Sequence, residues 1–180
     1  MKELILGGVR SGKSRLAERL AADSGLPVTY VATAQVGDDE EMARRIALHR
    51  ERRPAHWGLI EVEADLGATL AREAAPDRCL LVDCLTLWLT HLLWDLDDAA
   101  SVEAQQGFLE VLTGLPGRLI LVSNETGLGI VPLGELTRRF CDDIGRLHQA
   151  VAARCDRVIF TVAGLPQVLK GEPLQPKSGS

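Results

Sequence analysis

A glycine-rich segment near the start of the chain constrains the fold more than any other feature. Residues 2–6 are a short apolar run with strand character, and residues 15–22 have the composition of a helix. Residues 7–14, which lie between them, match the Gly-x4-Gly-Lys-Ser spacing of a phosphate-binding P-loop. A P-loop needs a strand before it and a helix after it, and both are predicted here. The sequence therefore predicts an α/β fold with a nucleotide site beyond the first strand.

The residue types of this loop follow from the chemistry of phosphate binding. Glycine has no Cβ, so successive backbone N–H groups can turn towards phosphate oxygens. The helix that begins near Lys13 directs its positive end at the same anion. Lys13 is the expected catalytic cation for the β- and γ-phosphates, and Ser14 offers a hydroxyl to Mg²⁺. The predicted nucleotide-binding residues of the loop are Gly7, Gly8, Val9, Arg10, Ser11, Gly12, Lys13 and Ser14.

Length and composition narrow the class of protein. The chain has 180 residues, enough for one domain with a full core. Its net charge of −5 argues against nucleic acid as a general partner. No apolar run approaches the roughly 20 residues that span a bilayer, and no signal peptide precedes the first strand. The four cysteines lack C-x2-C spacing, so we expect reduced thiols in a cytoplasmic protein.

Strand-like and helix-like segments alternate along the chain, which predicts a mostly parallel sheet flanked by helices. We expect residues 1–170 to form one P-loop domain and residues 171–180 to form a flexible tail. Residues 97–101 are predicted as a loop, and residues 164–170 as a surface segment. Further strands are predicted at 28–31, 59–62, 79–83, 118–122 and 157–162, and further helices at 65–75 (with Asp65 as N-cap), 85–96, 102–114 and 133–151.

Two strand ends are candidates for the nucleotide site, because ligands of such sheets lie beyond the carboxyl ends of the strands. An apolar run ending in Asp83 has the pattern of a strand that places a carboxylate beside a P-loop to hold Mg²⁺. Many strands end in Asp by chance, but the P-loop upstream favours the metal role. The tip at Ala32, Thr33 and Ala34 could line the site, although a plain exit from the strand explains it equally well.

The histidine at position 49 lies in a basic stretch of an otherwise acidic chain. An imidazole can act as an acid, a base or a nucleophile on phosphorus. Neighbouring cations favour its neutral form and neutralise a phosphoryl group in transfer. From chemistry alone, an exposed helix histidine is the better interpretation of His49. His91 and His148 are predicted to be structural or exposed, far from the site loops. The nearby arginines are Arg44, Arg45, Arg50, Arg52 and Arg53.

Two other stretches suggest a second site loop and an interface. Residues 123–132 place glycines, Asn124 and Glu125 at the carboxyl end of a strand, where binding loops are common. Residues 85–96 are apolar on nearly all sides, so we expect a helix that is partly core and partly subunit contact. From 133 to 151, apolar residues at helical spacing predict a buried helix face.

Taken together, the motifs resemble the bifunctional adenosylcobinamide kinase / adenosylcobinamide-phosphate guanylyltransferase family of cobalamin biosynthesis. The combination of His-Arg-x-x-Arg-Pro-x-x-Trp with Asn-Glu-x-Gly-x-Gly-Ile-Val-Pro is far more specific than a P-loop. The matching stretches are 7–14, 30–35, 38–40, 45–46, 49–50, 53–57, 81–86 and 123–132.

The resemblance implies two reactions, a RecA-like P-loop domain and a homotrimer. The aminopropanol hydroxyl of adenosylcobinamide is phosphorylated by ATP or GTP, and GMP is then transferred from GTP to that phosphate. The second step proceeds through a GMP-histidine intermediate that maps to His49, with His56 as the alternative. Mg²⁺ ligands map to Ser14 and Asp83, and some members carry Glu at the latter position. Further nucleotide contacts map to Ala32, Thr33, Ala34, Arg50, Glu51, Arg52, Arg53, Glu61 and Asp83.

The two reactions need different phosphorus atoms of the nucleotide. We expect residues 36–57, with a hinge near Gly37, to bring His49 to the α-phosphate. One alternative is a P-loop kinase of another small metabolite, in which His49 would be dispensable. The other is a nucleotide-binding regulatory module without transfer chemistry, which a nucleotide-release assay without acceptor would distinguish from both enzymes.

Overall fold

The computed structural model describes residues 1–33 and 54–174. The predicted hinge and helix after residue 36 lie outside the described residues, and so does most of the predicted tail. The same holds for these predicted site residues: Ala34, His49, Arg50, Glu51, Arg52 and Arg53.

The described residues form one sheet with helices on both faces. The strands are β1 (Lys2–Gly7), β2 (Val28–Ala32), β3 (Gly58–Glu61), β4 (Cys79–Asp83), β5 (Arg118–Asn124), β6 (Arg157–Val162) and β7 (Leu165–Lys170). The helices are α1 (Lys13–Ala22), α2 (Leu66–Glu73), α3 (Leu85–Asp95), α4 (Asp98–Leu112) and α5 (Glu135–Arg154). The strand order is β3-β2-β4-β5-β1-β6-β7, and all neighbours are parallel except β6 and β7. The prediction of a mostly parallel α/β sheet is confirmed.

Two apolar cores cover the two faces of the sheet. The central strands are apolar runs because helices bury both of their faces. One core packs α1 and Trp57 on the sheet, and the other packs α2 to α5. In the second core, the fully buried Trp88 meets Phe108 edge to face at 5.2 Å between ring centroids. Its indole N–H donates to Ala64 O at 3.0 Å, so burial leaves no unpaired donor on that ring.

Two segments differ from the sequence predictions. Residues 98–101 begin α4 and are not a loop, because Asp97 caps the helix and its Oδ1 accepts from the Ala100 N–H at 2.8 Å. Residues 164–170 are largely strand β7, paired antiparallel with β6. The connecting residues Ala163 and Gly164 both have positive φ, as a two-residue hairpin turn commonly requires. The turn was not predicted because alanine stands at the first of these positions, where Asn, Asp or Gly usually indicates a hairpin.

The helix predictions hold best where the helices meet the core. In α5, Ile144 and Val151 are buried, but the helix begins at Glu135 and Leu133 before it is 96% exposed. Helix α3 buries one face in the core as predicted. Asp65 lies at the N-cap position of α2 without a side-chain capping bond. Within residues 1–33 and 54–174, none of the helices has the length and apolar character that crossing a bilayer would need.

A buried ion cluster joins three strands at their amino ends. Glu3 is fully buried on β1. Its Oε2 accepts from Arg118 Nε at 2.8 Å, and its Oε1 accepts from Arg157 Nε at 2.8 Å. The cluster therefore ties β1 to both of its neighbours, at the end of the sheet opposite to the P-loop.

Candidate active site

The P-loop between β1 and α1 has the backbone geometry that its sequence predicts. A Cβ on Gly7 would lie 2.6 Å from Thr161 O, so the loop can pass β6 only with glycine there. Gly12 has a φ of +98°, a conformation that favours glycine. Helix α1 starts directly after it without a side-chain cap. The N–H groups of its first turn are therefore available to an anion.

Lys13 lies folded over this loop. Its Nζ donates to Gly8 O at 3.1 Å. Partial burial lowers the pKa of Lys13, and the nearby Asp83 and Cys84 oppose that shift. Ser14 follows in the first turn of α1 and is half-buried, whereas Val9 and Arg10 are exposed. Lys13 and Ser14 thus lie at the helix end that faces the loop.

The strand register aligns the other predicted residues along one edge of the sheet. Ala32 on β2 lies between Glu61 on β3 and Asp83 on β4. Strand β5 separates Asp83 from the P-loop strand, with Asn124 opposite Gly7. Because all these strands are parallel, their carboxyl ends share one side of the molecule. The predicted residues of five strands are thereby neighbours in the sheet.

Two side chains from β2 and its end hold the Asp83–Cys84 segment, Tyr30 within the strand and Thr33 directly after it. The Tyr30 hydroxyl donates to Asp83 Oδ2 at 3.1 Å, and burial together with Asp83 raises the pKa of Tyr30. The Thr33 hydroxyl donates to Cys84 O at 2.7 Å and accepts from the Cys84 N–H at 2.8 Å. The peptide bond between Asp83 and Cys84 is cis. Tyr30 was missed as a site residue, because an aromatic residue in an apolar run is typical of a strand core. The contact between its hydroxyl and Asp83 depends on the pairing of β2 with β4.

The side chains at this edge fit Mg²⁺ bound together with a nucleotide. Ser14 offers a hydroxyl and Asp83 a carboxylate, and Mg²⁺ prefers oxygen ligands completed by phosphates and water. Burial and the neighbouring Asp83 raise the pKa of Cys84 to about 12, so the free thiol stays protonated, and Mg²⁺ prefers oxygen to sulfur ligands. Among the described residues, no cluster of three or more His, Cys, Asp or Glu could hold a metal by itself. The donor set therefore suits a metal that arrives with phosphates.

Two buried hydroxyl groups without a hydrogen-bond partner among the described residues lie beside the P-loop. In the described part of the chain, Ser11 Oγ and Thr161 Oγ1 are buried and have no hydrogen-bond partner. Both residues flank Gly7, since a Cβ there would contact each of them. An unsatisfied buried hydroxyl costs free energy that a bound polar group can recover. Within residues 1–33 and 54–174, Ser11 and Thr161 therefore keep unpaired hydroxyl groups next to the first glycine of the loop.

The loop after β5 is connected to the P-loop and to a buried histidine. The Glu125 N–H donates to Gly7 O at 3.0 Å. His148 of α5 is buried, with Nε2 2.7 Å from Ser123 Oγ and Nδ1 3.8 Å from Glu125 Oε2. The prediction that His148 lies far from the site loops is wrong, because α5 packs back across the sheet onto the end of β5. The sequence did contain a sign of this burial, because His148 lies at helical spacing from the apolar residues Ile144 and Val151.

In the described part of the His-Arg-x-x-Arg-Pro-x-x-Trp motif, one residue is buried in the core and another is exposed. Trp57 is buried against α1, so it anchors the start of β3 in the core. His56, the alternative to His49, is exposed. Glu61 lies exposed at the end of β3, beside the tip of β2.

The free energy of unfolding is expected to fall as the pH drops below about 6.5, in part because of His148. Burial lowers the pKa of His148, and the facing Glu125 only partly opposes this. The unfolded chain therefore binds a proton that the folded chain resists, so stability is present at higher pH and is lost on acidification. Urea unfolding at pH 7.5 and 5.5 tests this. His148→Gln should lose less stability than wild type or the exposed control His56→Gln, and an equal loss in all three would contradict it.

The sheet order and the P-loop define the class of protein. One strand separates the P-loop strand from the strand of Asp83, and the fold is that of a RecA-like P-loop NTPase. The flagellar accessory protein FlaH from Methanocaldococcus jannaschii has a TM-score of 0.51 at 16% identity, over 94% of this chain and 78% of that chain. The RadB recombinase has a TM-score of 0.52 at 18% identity, over 88% of this chain and 73% of that chain. These likenesses concern the fold alone.

Sequence comparison gives the particular family. The family model described as cobinamide kinase / cobinamide phosphate guanyltransferase matches residues 3–169, and the chain belongs to this family. A relative from Pseudomonas aeruginosa, the bifunctional adenosylcobalamin biosynthesis protein CobP, is 67% identical over 97% of this chain and all of its own length. The bifunctional adenosylcobalamin biosynthesis protein CobU of Salmonella typhimurium is 40% identical over 94% of this chain and all of its own length. The resemblance read from the motifs is confirmed.

Proposed function

We propose that this chain phosphorylates the aminopropanol hydroxyl of adenosylcobinamide and then transfers GMP from GTP to the resulting phosphate, giving adenosylcobinamide-GDP. The observation that carries the proposal is the strand register that puts the P-loop and Asp83 at one sheet edge. It occurs in a chain whose residues 3–169 match the family model. The register supports a nucleotide site, and the family supports the substrates.

In the kinase step, the loop and Lys13 would hold the β- and γ-phosphates. The hydroxyl oxygen attacks the γ-phosphorus, and the nucleoside diphosphate leaves. Backbone N–H groups at the start of α1 and the ammonium of Lys13 would stabilise charge on the phosphoryl oxygens. Mg²⁺ bound through Ser14 and Asp83 would neutralise part of the phosphate charge.

In the guanylyl step, we assign the nucleophile to His49. An imidazole nitrogen attacks the α-phosphorus of GTP, an N–P bond forms, and pyrophosphate leaves. A phosphate oxygen of adenosylcobinamide phosphate then attacks the same phosphorus, and the N–P bond breaks. We keep as proposed nucleotide contacts the residues mapped from the family: Ala32, Thr33, Ala34, Arg50, Glu51, Arg52, Arg53, Glu61 and Asp83.

Assembly, compartment and domain organisation are part of the proposal. A homotrimer is supported by apolar surface, since Trp94 at the end of α3 is 49% exposed and Ile130 is 98% exposed. A cytoplasmic location fits the free thiols of Cys79, Cys84, Cys141 and Cys155. One P-loop domain over 1–170 is supported by the continuous sheet, and 171–180 would be its tail.

Incubation of the purified protein with adenosylcobinamide, GTP and Mg²⁺ tests the function directly. Chromatography with mass spectrometry should first show adenosylcobinamide phosphate and GDP, then adenosylcobinamide-GDP and pyrophosphate. An unchanged corrinoid together with phosphorylation of another small alcohol would favour the alternative kinase. Binding of GTP without any transfer would favour a regulatory module.

A further inference from the structure

We infer that Glu125 accepts the proton of the corrinoid hydroxyl in the kinase step, and that His148 positions its carboxylate. The inference rests on the proposed function and adds two residues to it. It comes from a buried polar network between the loop after β5 and helix α5, which the nucleotide site described above does not use.

The position of Glu125 in the sheet places it beside the P-loop. It directly follows β5, the strand between the P-loop strand and the strand of Asp83. Its N–H donates to Gly7 O at 3.0 Å, and Asn124 before it pairs with Gly7. The backbone of Glu125 is therefore hydrogen-bonded to Gly7, the first residue of the P-loop. The carboxylate of Glu125 therefore lies at the sheet edge where the proposed nucleotide and its phosphoryl acceptor would meet.

The carboxylate is held on one side and open on the other. Glu125 Oε1 accepts from the Gly127 N–H at 2.6 Å. Oε2 lies 3.8 Å from His148 Nδ1, and the side chain remains 21% exposed. A general base needs this combination, because it must keep its orientation and still reach a substrate proton.

A directional chain of hydrogen bonds fixes the tautomer of His148, the residue that faces Glu125. The Asn124 N–H donates to Thr86 Oγ1 at 2.7 Å, and Thr86 Oγ1 lies 3.1 Å from Ser123 Oγ. Ser123 Oγ lies 2.7 Å from His148 Nε2. With Thr86 donating to Ser123 and Ser123 donating to His148, each hydroxyl donates once and accepts once. His148 is then neutral, with its proton on Nδ1, directed towards the carboxylate of Glu125.

The chemistry of the two acceptors assigns Glu125 to one reaction. The kinase acceptor is a neutral hydroxyl, which must lose a proton as it attacks phosphorus. The guanylyl acceptor is a phosphate oxygen that is already ionised at neutral pH. A proton acceptor therefore speeds the first reaction and has no proton to remove in the second.

In the proposed kinase step, one bond to phosphorus forms and one breaks. The hydroxyl oxygen forms a bond to the γ-phosphorus, and the bond from that phosphorus to the β–γ bridging oxygen breaks. The electron pair of the broken bond leaves with the nucleoside diphosphate. The hydroxyl proton passes to the Glu125 carboxylate and then to water.

The test compares Glu125→Gln with the exposed control Glu103→Gln. We expect Glu125→Gln to lower the kinase kcat by roughly 10²–10⁴-fold, with the nucleotide KM changed by less than about threefold. Formation of the GMP adduct from GTP alone should stay within about threefold of wild type, which also shows that the variant is folded and binds nucleotide. The control should match wild type in both assays.

A kinase kcat in Glu125→Gln within about threefold of wild type would overturn the inference, and so would an equal loss of adduct formation and kinase activity. Failure of the proposed function is a different result, since wild type itself would then neither phosphorylate the corrinoid nor form the adduct.

The role of His148 is tested by combining variants. His148→Gln should lower the kinase kcat at unchanged nucleotide KM, and the double variant with Glu125→Gln should fall no further than Glu125→Gln alone. Additive losses would overturn the positioning role.

Discussion

His49→Ala is expected to abolish the GMP adduct while phosphorylation of adenosylcobinamide continues. Alanine has no nitrogen that can form the N–P bond, so the covalent intermediate cannot exist. The kinase step uses the P-loop, Lys13 and the side chains of Ser14 and Asp83, none of which is changed. The variant should therefore accumulate adenosylcobinamide phosphate and make no adenosylcobinamide-GDP.

Intact-protein mass spectrometry after incubation with GTP and Mg²⁺ measures the adduct. Wild type should gain the mass of one GMP, and acid should remove it because a phosphoramidate is acid-labile. His56→Ala is the matched control, since it removes an exposed histidine of the same motif. It should keep the adduct.

Three outcomes would contradict this division of labour. Loss of the adduct in His56→Ala, with retention in His49→Ala, would show that His56 is the nucleophile. Equal loss of kinase activity and adduct in His49→Ala would mean that the histidine serves both steps. A wild-type protein that binds GTP without any adduct would leave the plain kinase as the better account.

Glu3→Gln is expected to cost about 3–5 kcal/mol of the free energy of unfolding. Glu3 is fully buried and accepts hydrogen bonds from Arg118 and Arg157. Glutamine keeps the shape but removes the negative charge, so two guanidinium groups remain in a low-dielectric environment without their counter-ion. The penalty comes from these stranded charges more than from the lost bonds.

Thermal and urea unfolding measure this loss. For a chain of this size, the expected change corresponds to a drop in Tm of roughly 6–20 °C. Glu103→Gln on the exposed side of α4 is the control and should change the free energy of unfolding by less than about 0.5 kcal/mol. A loss below about 1 kcal/mol in Glu3→Gln would show that the cluster is compensated by solvent. Because the cluster lies at the amino ends of the strands, the folded variant should still form the GMP adduct.

The local elements were predictable because their signals are local. The bounds of β4 and β6 coincide with the predicted runs 79–83 and 157–162, since strands buried on both faces are continuous apolar segments. The P-loop could be located because its glycines are required by backbone geometry within a few residues of each other. The family could be identified because each of its two long motifs is a continuous stretch of the sequence.

Contacts between distant residues were decided by the tertiary structure alone. The hydroxyl of Tyr30 meets Asp83, and His148 meets Ser123 and Glu125, across separations that no local pattern encodes. Strand β7 was missed for a related reason, because an exposed edge strand has no buried face to impose alternation. Local patterns were enough to identify the phosphate loop, the strands of the core and the family. Local patterns could not predict the strand order, the helix packing or the network behind Glu125, because these depend on which surfaces meet when the chain folds.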